Sequence, residues 1–209
     1  MQHQSAYSGT TKLTEYSDGD GVTKAPAMGK SYHTARGLWW NGPSTSGYNI
    51  FQDYLAVISN SSNDFGYRLD DIGNTSAAGA LLNIDGGGNI SGAGIISRMT
   101  DVDYFNFTTL GGSYVFNINT AEFGATLDAS TWLYSSIGTL LNSATTSSLS
   151  EVLAGYLDEG SYSLVIGGAG NYGDLGQYTL SGAIAGAVVP EPATLSLLAL
   201  SALLLRRRA

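Results

Sequence analysis

The sequence predicts a mainly β chain centred on an antiparallel, jelly-roll-like β-sandwich. An irregular or helical N-terminal region precedes the sandwich, and an apolar helix follows it. Three observations carry this expectation. Twenty-eight glycines among 209 residues, with frequent Ser, Thr and Asn, disfavour helix, because glycine costs helix entropy and Ser and Asn favour turns. Through the middle of the chain, apolar and polar residues alternate at the period of half-buried strands. Near the end, an apolar run is closed by three consecutive arginines. With 43% hydrophobic and 12% charged residues, the chain has the material for one or two packed cores. The composition divides it at 1–68, 69–185 and 186–209.

Charge and cysteine usage exclude several functions. The formal net charge is -8, and between Leu69 and Ala187 the one basic residue is Arg98. No surface in that stretch can neutralise a run of phosphates, so nucleic acid is not an expected partner. The absence of cysteine removes disulfides, thiolate metal sites and cysteine nucleophiles together.

Residues 1–68 hold both histidines, two of the three tryptophans and all of the lysines. So short a stretch buries a marginal core alone and needs something to pack against. Within it, "TSGYNIFQDYLAVISN" predicts a helix with Tyr48, Phe51, Tyr54, Leu55 and Ile58 near one face. Two further stretches, "MQH" at the start and "APAMGKSYH" at 25–33, are similar to parts of the metzincin-type zinc peptidases. Such enzymes place three histidines in HExxHxxGxxH, with a methionine turn beneath them. The resemblance implies that His3 is the third zinc ligand, at the end of the final "xxH", and that Met28 forms the methionine turn. The first two histidines and the general-base glutamate would lie before Met1, and His33 has no second histidine four residues away. One histidine cannot hold a catalytic zinc, so the chain as written is expected not to be an enzyme, and zinc belongs to a longer parent.

The segment 69–185 predicts six to eight short strands. "DVDYFNFTT" puts Asp103, Phe105 and Phe107 on one face, and "SYVFNINT" does the same with Tyr114, Phe116 and Ile118. "DASTWLYSS", "GTLLNS", "GSYSLVIGG" and "GQYTLSGAI" follow at regular spacing, as in a sandwich. The order of "DDIGNT", "SGAGIISRMTDVDYFNFTT", "LDASTWLYSSIGTLL" and "YLDEGSYSLVIGGAGNYGDLGQYTLSG" resembles the bacterial pre-peptidase C-terminal domain. That resemblance implies an accessory role after export, in attachment or folding, without catalysis. Two acidic groups here are candidate calcium ligands: Asp70, Asp71 and Asn74 in one loop, and Asp101 and Asp103 in another. Calcium takes six to eight oxygens, which two converging acidic loops can supply. The plainer reading is that these residues make turns and cap backbone groups.

The last segment is apolar from Thr194 to Leu205. A helix from Ala193 to Leu205 would span about 20 Å, short of the roughly 30 Å of a bilayer core. The basic end favours the cytoplasmic side, which places the body of the protein outside. "VPEPATLSLLALSALLLRRRA" resembles a PEP-CTERM sorting signal, through Pro190, Glu191 and Pro192, the apolar run, and Arg206, Arg207 and Arg208. The resemblance implies recognition by an exosortase-type membrane protease at the inner membrane of a Gram-negative bacterium. Met1 to Thr14 is polar and carries no export signal, so an envelope or extracellular location requires a signal encoded upstream.

These readings combine into the expected function. The chain is the non-catalytic C-terminal portion of an exported, surface-sorted metallopeptidase-like protein, displayed or attached at the envelope. The alternative is a self-contained surface or matrix binding protein, calcium-assisted, with extracellular polysaccharide or protein as partner.

Overall fold

A computed structural model describes residues 1–63 and 66–187. The sorting-signal residues Pro190, Glu191, Pro192, Arg206, Arg207 and Arg208, and the expected C-terminal helix, lie outside the described residues. The chain is mainly β, as expected. The N-terminal region contributes β1 (Ala6–Ser8), β2 (Thr11–Thr14), β3 (Lys24–Pro26), β4 (Arg36–Leu38), β5 (Asn41–Ser44), β6 (Gly47–Asp53) and α1 (Tyr54–Ser59). Then follow β7 (Ala80–Leu81), β8 (Asn83–Ile84), β9 (Asn89–Ile96), β10 (Val102–Thr120), β11 (Ala129–Ser135), β12 (Leu140–Ala144), β13 (Glu151–Gly168) and β14 (Gly176–Ile184). The strands from β7 onward form one eight-stranded sheet, in the order β12-β11-β13-β10-β14-β9-β8, with β7 pairing parallel to β10.

Two long strands, β10 and β13, turn this one sheet into two facing layers. They pair antiparallel along most of their length, from Val102 with Gly167 to Ile118 with Glu151. In the first half of β10 the pair is flanked by β11 and β7, and in the second half by β14. Phe107 and Phe116 stand nine residues apart on β10, a separation of about 30 Å in a straight strand. Their ring centroids are 5.7 Å apart. The ribbon therefore doubles back, and each half supplies one wall of the core.

The turn-over happens at Gly111 and Gly112, whose φ angles are 98° and 135°. Inward residues are odd-numbered before this point, from Asp103 to Thr109, and even-numbered after it, from Tyr114 to Ile118. The partner changes phase at the same level, from Leu153 and Leu157 to Leu164 and Ile166, and the pairing register is kept. Only glycine adopts such angles readily. The two separate strands expected at 101–109 and 113–120 are thus one strand, and both expected inward faces are buried.

The expected helix over 45–60 forms only in its last part. Gly47 to Asp53 is a strand paired with β5, which leaves Tyr48, Ile50 and Phe51 exposed. Glycine and asparagine weaken a helix here, and Tyr, Ile and Phe suit a strand, so local preference overrides the apolar spacing. The helix begins at Tyr54, where the Asp53 side chain accepts the Ala56 amide, and it buries Tyr54 and Leu55.

The N-terminal region packs on the sandwich itself, around the loop 169–175. Arg36 is 5% exposed, and its guanidinium lies 2.7 Å from Asp174 and 3.1 Å from Asp128, while also donating to the Thr126 carbonyl. Lys24 Nζ donates to Asn171 Oδ1 at 2.6 Å, and the Tyr172 hydroxyl donates to Asp53 and accepts the Leu55 amide. Burial pushes the Asp128 carboxyl up, and Arg36 draws it down. Removing one member of such a buried group strands the others in a poor solvent for charge. Arg36→Leu is therefore expected to cost about 3–5 kcal/mol in urea unfolding. The further changes Asp128→Asn and Asp174→Asn should recover much of that loss. A cost below about 1 kcal/mol for Arg36→Leu would show that the ion pairs do not hold the region down.

Candidate functional site

At one end of the sandwich the loop before β7 meets the turn between β9 and β10. The turn is closed by the Ser97 amide, which donates to Asp101 Oδ2 at 2.5 Å, and by the Asp101 amide, which donates to the Arg98 carbonyl at 3.1 Å. Asn74 clamps the two loops together. Its Oδ1 accepts the Val102 amide at 2.7 Å, and its Nδ2 donates to Asp70 Oδ2 at 2.7 Å. Carboxylate oxygens of Asp70, Asp101 and Asp103 consequently lie within 4.8 Å of one another.

Their environments differ. Asp70 is exposed, Asp101 is buried, and Asp103, on the core face of β10, has no exposed surface. Asp103 Oδ2 accepts the Tyr178 hydroxyl at 2.5 Å. Asp103 Oδ1 and Asp101 Oδ1 are buried and accept no hydrogen bond from the described residues. Gly94 makes room for the arrangement, since a Cβ there would stand 2.3 Å from the Tyr178 hydroxyl and 2.5 Å from Asp103 Oδ2.

Burial, reinforced by the carboxylates of Asp101, Asp71 and Asp70 and opposed by the Tyr178 hydrogen bond, raises the Asp103 pKa to about 7. Burial and the Asp103 charge in turn hold Tyr178 as a neutral phenol. Unpaired carboxylate oxygens in a buried site are costly, and a hard cation is the partner that satisfies several at once. The three carboxylates fit calcium in chemistry, with oxygen ligands from two loops. Asp71 stands outside the cluster and reaches Asp103 through its charge, and the Asn74 oxygen, beside the cluster, accepts the Val102 amide.

The proposed zinc remnant has a different setting. His3 Nδ1 is 3.8 Å from Glu15, and its ring lies 4.4 Å from that of Tyr16. Met28 sits in the turn after β3, and its carbonyl accepts the Gln4 amide at 3.2 Å, so His3 and Met28 are neighbours through the backbone. His33 is exposed, with its ring edge-on to Tyr32. Among the described residues the one group of three ligating side chains in reach of a common ion is the aspartate cluster. The residues around His3 do not fit a zinc site. Tyr178 and Gly94 were not legible as site residues: Tyr178 occupies an inward position of an alternating strand, like any core aromatic.

With divalent ions withheld, the raised Asp103 pKa makes stability depend on pH. The folded value of about 7 lies above the unfolded value. The associated stabilisation is therefore complete below about pH 4 and disappears as pH rises through about 7. In a chelator, thermal melts are expected to fall over that window, and Asp103→Asn should flatten the slope and melt higher at pH 8. The gain would be on the order of a few kcal/mol. A flat profile in the unaltered chain would contradict the burial argument.

No protein-family model and no curated protein matches the chain. Among solved structures, it is similar to the pre-peptidase C-terminal domain of a collagenase from Bacillus anthracis. The TM-score is 0.38 at 13% sequence identity, over 49% of this chain and 90% of that one.

Proposed function

We propose that the chain serves after export as a non-catalytic attachment module at the cell envelope, with a β-sandwich whose loop end is locked by calcium. The aspartate cluster carries this reading: three carboxylates converge from two loops, and two of their buried oxygens have no partner. Asp70, Asp101 and Asp103 would hold the ion. It would neutralise mutually repelling charges and fix the end of the sandwich where β10 begins.

Calcium that binds only the folded chain must raise its melting temperature. At a hundredfold excess over Kd, a rise of about 5–10 °C is expected for a chain of this size. Asp101→Asn and Asp103→Asn should abolish the rise, and magnesium should give less. An unchanged melting temperature in calcium would sink the reading.

Sorting belongs to the same proposal. The tail that resembles a PEP-CTERM signal would deliver the sandwich to an exosortase-type protease, which makes the tail an address instead of a permanent anchor. Replacing Arg206, Arg207 and Arg208 with glutamine in an exported form should block tail processing and alter fractionation. Unchanged processing would count against it.

A second reading is favoured by one observation. The Gln4 amide donates to the Met28 carbonyl, which brings the backbone beside His3 to the turn that resembles a methionine turn. On that reading, residues 1–68 are a remnant that has settled on the sandwich, with Arg36 as its fastening, and the chain has no zinc chemistry of its own.

A further inference from the structure

The outward face of β9, β10 and β14 carries rows of uncharged polar and small side chains. Asn119, Thr179 and Ala93 stand side by side across the three strands, and Asn117, Ser181 and Ser91 form the next row. All six face away from the core. At the Thr120 end of this face, two adjoining cavities of about 460 and 370 Å³ share Ile95, Ala121 and Gln177. The larger has aromatic and polar walls: Trp39, Arg68, Ser97 and Phe123 line it together with Gln177. The smaller continues over Asn119 and Thr179 to Asp71. Phe123 is 83% exposed among the described residues, a large apolar ring held at a rim. Ser97 is 8% exposed, and its hydroxyl is buried without a hydrogen-bond partner among the described residues.

The geometry points to a binding cleft for an uncharged polysaccharide, running from Phe123 and Trp39 along Gln177 and over the polar rows. The inference rests on the reading of the chain as an attachment module and gives that attachment a partner. Four features of the cleft fit this ligand class. A sugar ring offers an apolar C–H face to an aromatic side chain, and its rim of hydroxyls both donates and accepts hydrogen bonds. Amide and hydroxyl side chains do the same, so Gln177, Asn119 and Thr179 can match hydroxyls without burying a charge. Cavities of this size accept a ligand of a few rings. Neighbouring strands lie about 4.8 Å apart, comparable to one sugar residue, so the rows present polar groups at the repeat of an extended chain.

Charge decides between an uncharged and an acidic chain. The protein carries a net charge of -8, and Asp71 lines the smaller cavity of the cleft. A polyanion would be repelled there, whereas Asp71 and Arg68 can each engage neutral hydroxyls as strong acceptor and donor.

The full chain should be run in native gels containing hydroxyethylcellulose, galactomannan or xyloglucan, with polygalacturonate as the charged comparison, in calcium and in chelator. Retardation is expected in at least one uncharged polymer and not in polygalacturonate. Phe123→Ala and Gln177→Ala should each weaken it roughly tenfold, with melting temperatures unchanged, since both side chains are exposed. The inference is overturned if the folded chain is retarded by none of the uncharged polymers. It is equally overturned if only polygalacturonate retards the chain, or if both Phe123→Ala and Gln177→Ala bind as well as the parent. Retardation that persists when calcium fails to stabilise the chain would defeat the calcium reading and leave this one standing. Calcium stabilisation without retardation would do the reverse.

Discussion

The structure depends on a ribbon of two strands that turns its other face to the core halfway along. β10 and β13 stay paired through the turn, so hydrogen bonding is nearly continuous while the side-chain phase is exchanged. A continuous ladder is what makes the fold-back tolerable, because few backbone groups are left without partners. The cost is concentrated at Gly111 and Gly112, where the chain leaves the range open to other residues. In return, Phe107 meets Phe116, and the two halves of one strand pack against each other as if they came from separate sheets. The position of Asp103 follows from the same geometry: it is the first inward residue of the ribbon, and the sandwich closes over it.

A second constraint is electrostatic and reaches across the chain. The sandwich segment holds a single basic residue, yet it buries Asp174 almost completely and Asp128 in large part. Their counter-charge comes from Arg36, more than ninety residues earlier in sequence. Two carboxylates sharing one guanidinium is a directional arrangement, and shape alone would not place the N-terminal strands so specifically. The region around β3 and β4 therefore behaves as part of the sandwich's own polar accounting, and the Tyr172 hydroxyl bound to Asp53 extends the same logic to α1.

The sequence made much of this legible and hid the rest for identifiable reasons. Alternation exposed the inward faces at Asp103, Phe105 and Phe107 and at Tyr114, Phe116 and Ile118, because side-chain period survives any tertiary arrangement. It could not show that these stretches belong to one strand, since "GG" reads equally as a loop. The helix expected over 45–60 failed where apolar spacing fits two periods and only pairing with β5 decides. The acidic loops were legible as residue types, and Asp70, Asp101 and Asp103 do converge. Asp71 was not separable from them, because it acts on Asp103 at a distance, and the tie of Asn74 to the Val102 amide depends on how the two loops meet. The role of Arg36 was hidden because it follows from the burial of Asp128 and Asp174, which residue types alone do not show.

The acidic end then poses a question that the rest of the fold does not answer. Asp103 lies on the core face of a strand, with one oxygen bound by Tyr178 and the other by nothing, and Asp101 leaves a second buried oxygen unmatched. A purely structural turn would need none of this, since Asn74 already joins the loops and Asp101 already closes the β9–β10 turn. A proton on Asp103 relieves the repulsion at the expense of a weaker acceptor for the phenol, and it serves only while the pH stays near or below about 7. A divalent cation would relieve it at higher pH and could engage both unmatched oxygens. Proton and cation compete for the same atoms, so cation affinity must rise as Asp103 loses its proton. A sandwich built in this way is loosest when both are withheld, above about pH 7 and without divalent cation. On the proposed calcium reading it would be most rigid where calcium is supplied, as at the proposed site of attachment.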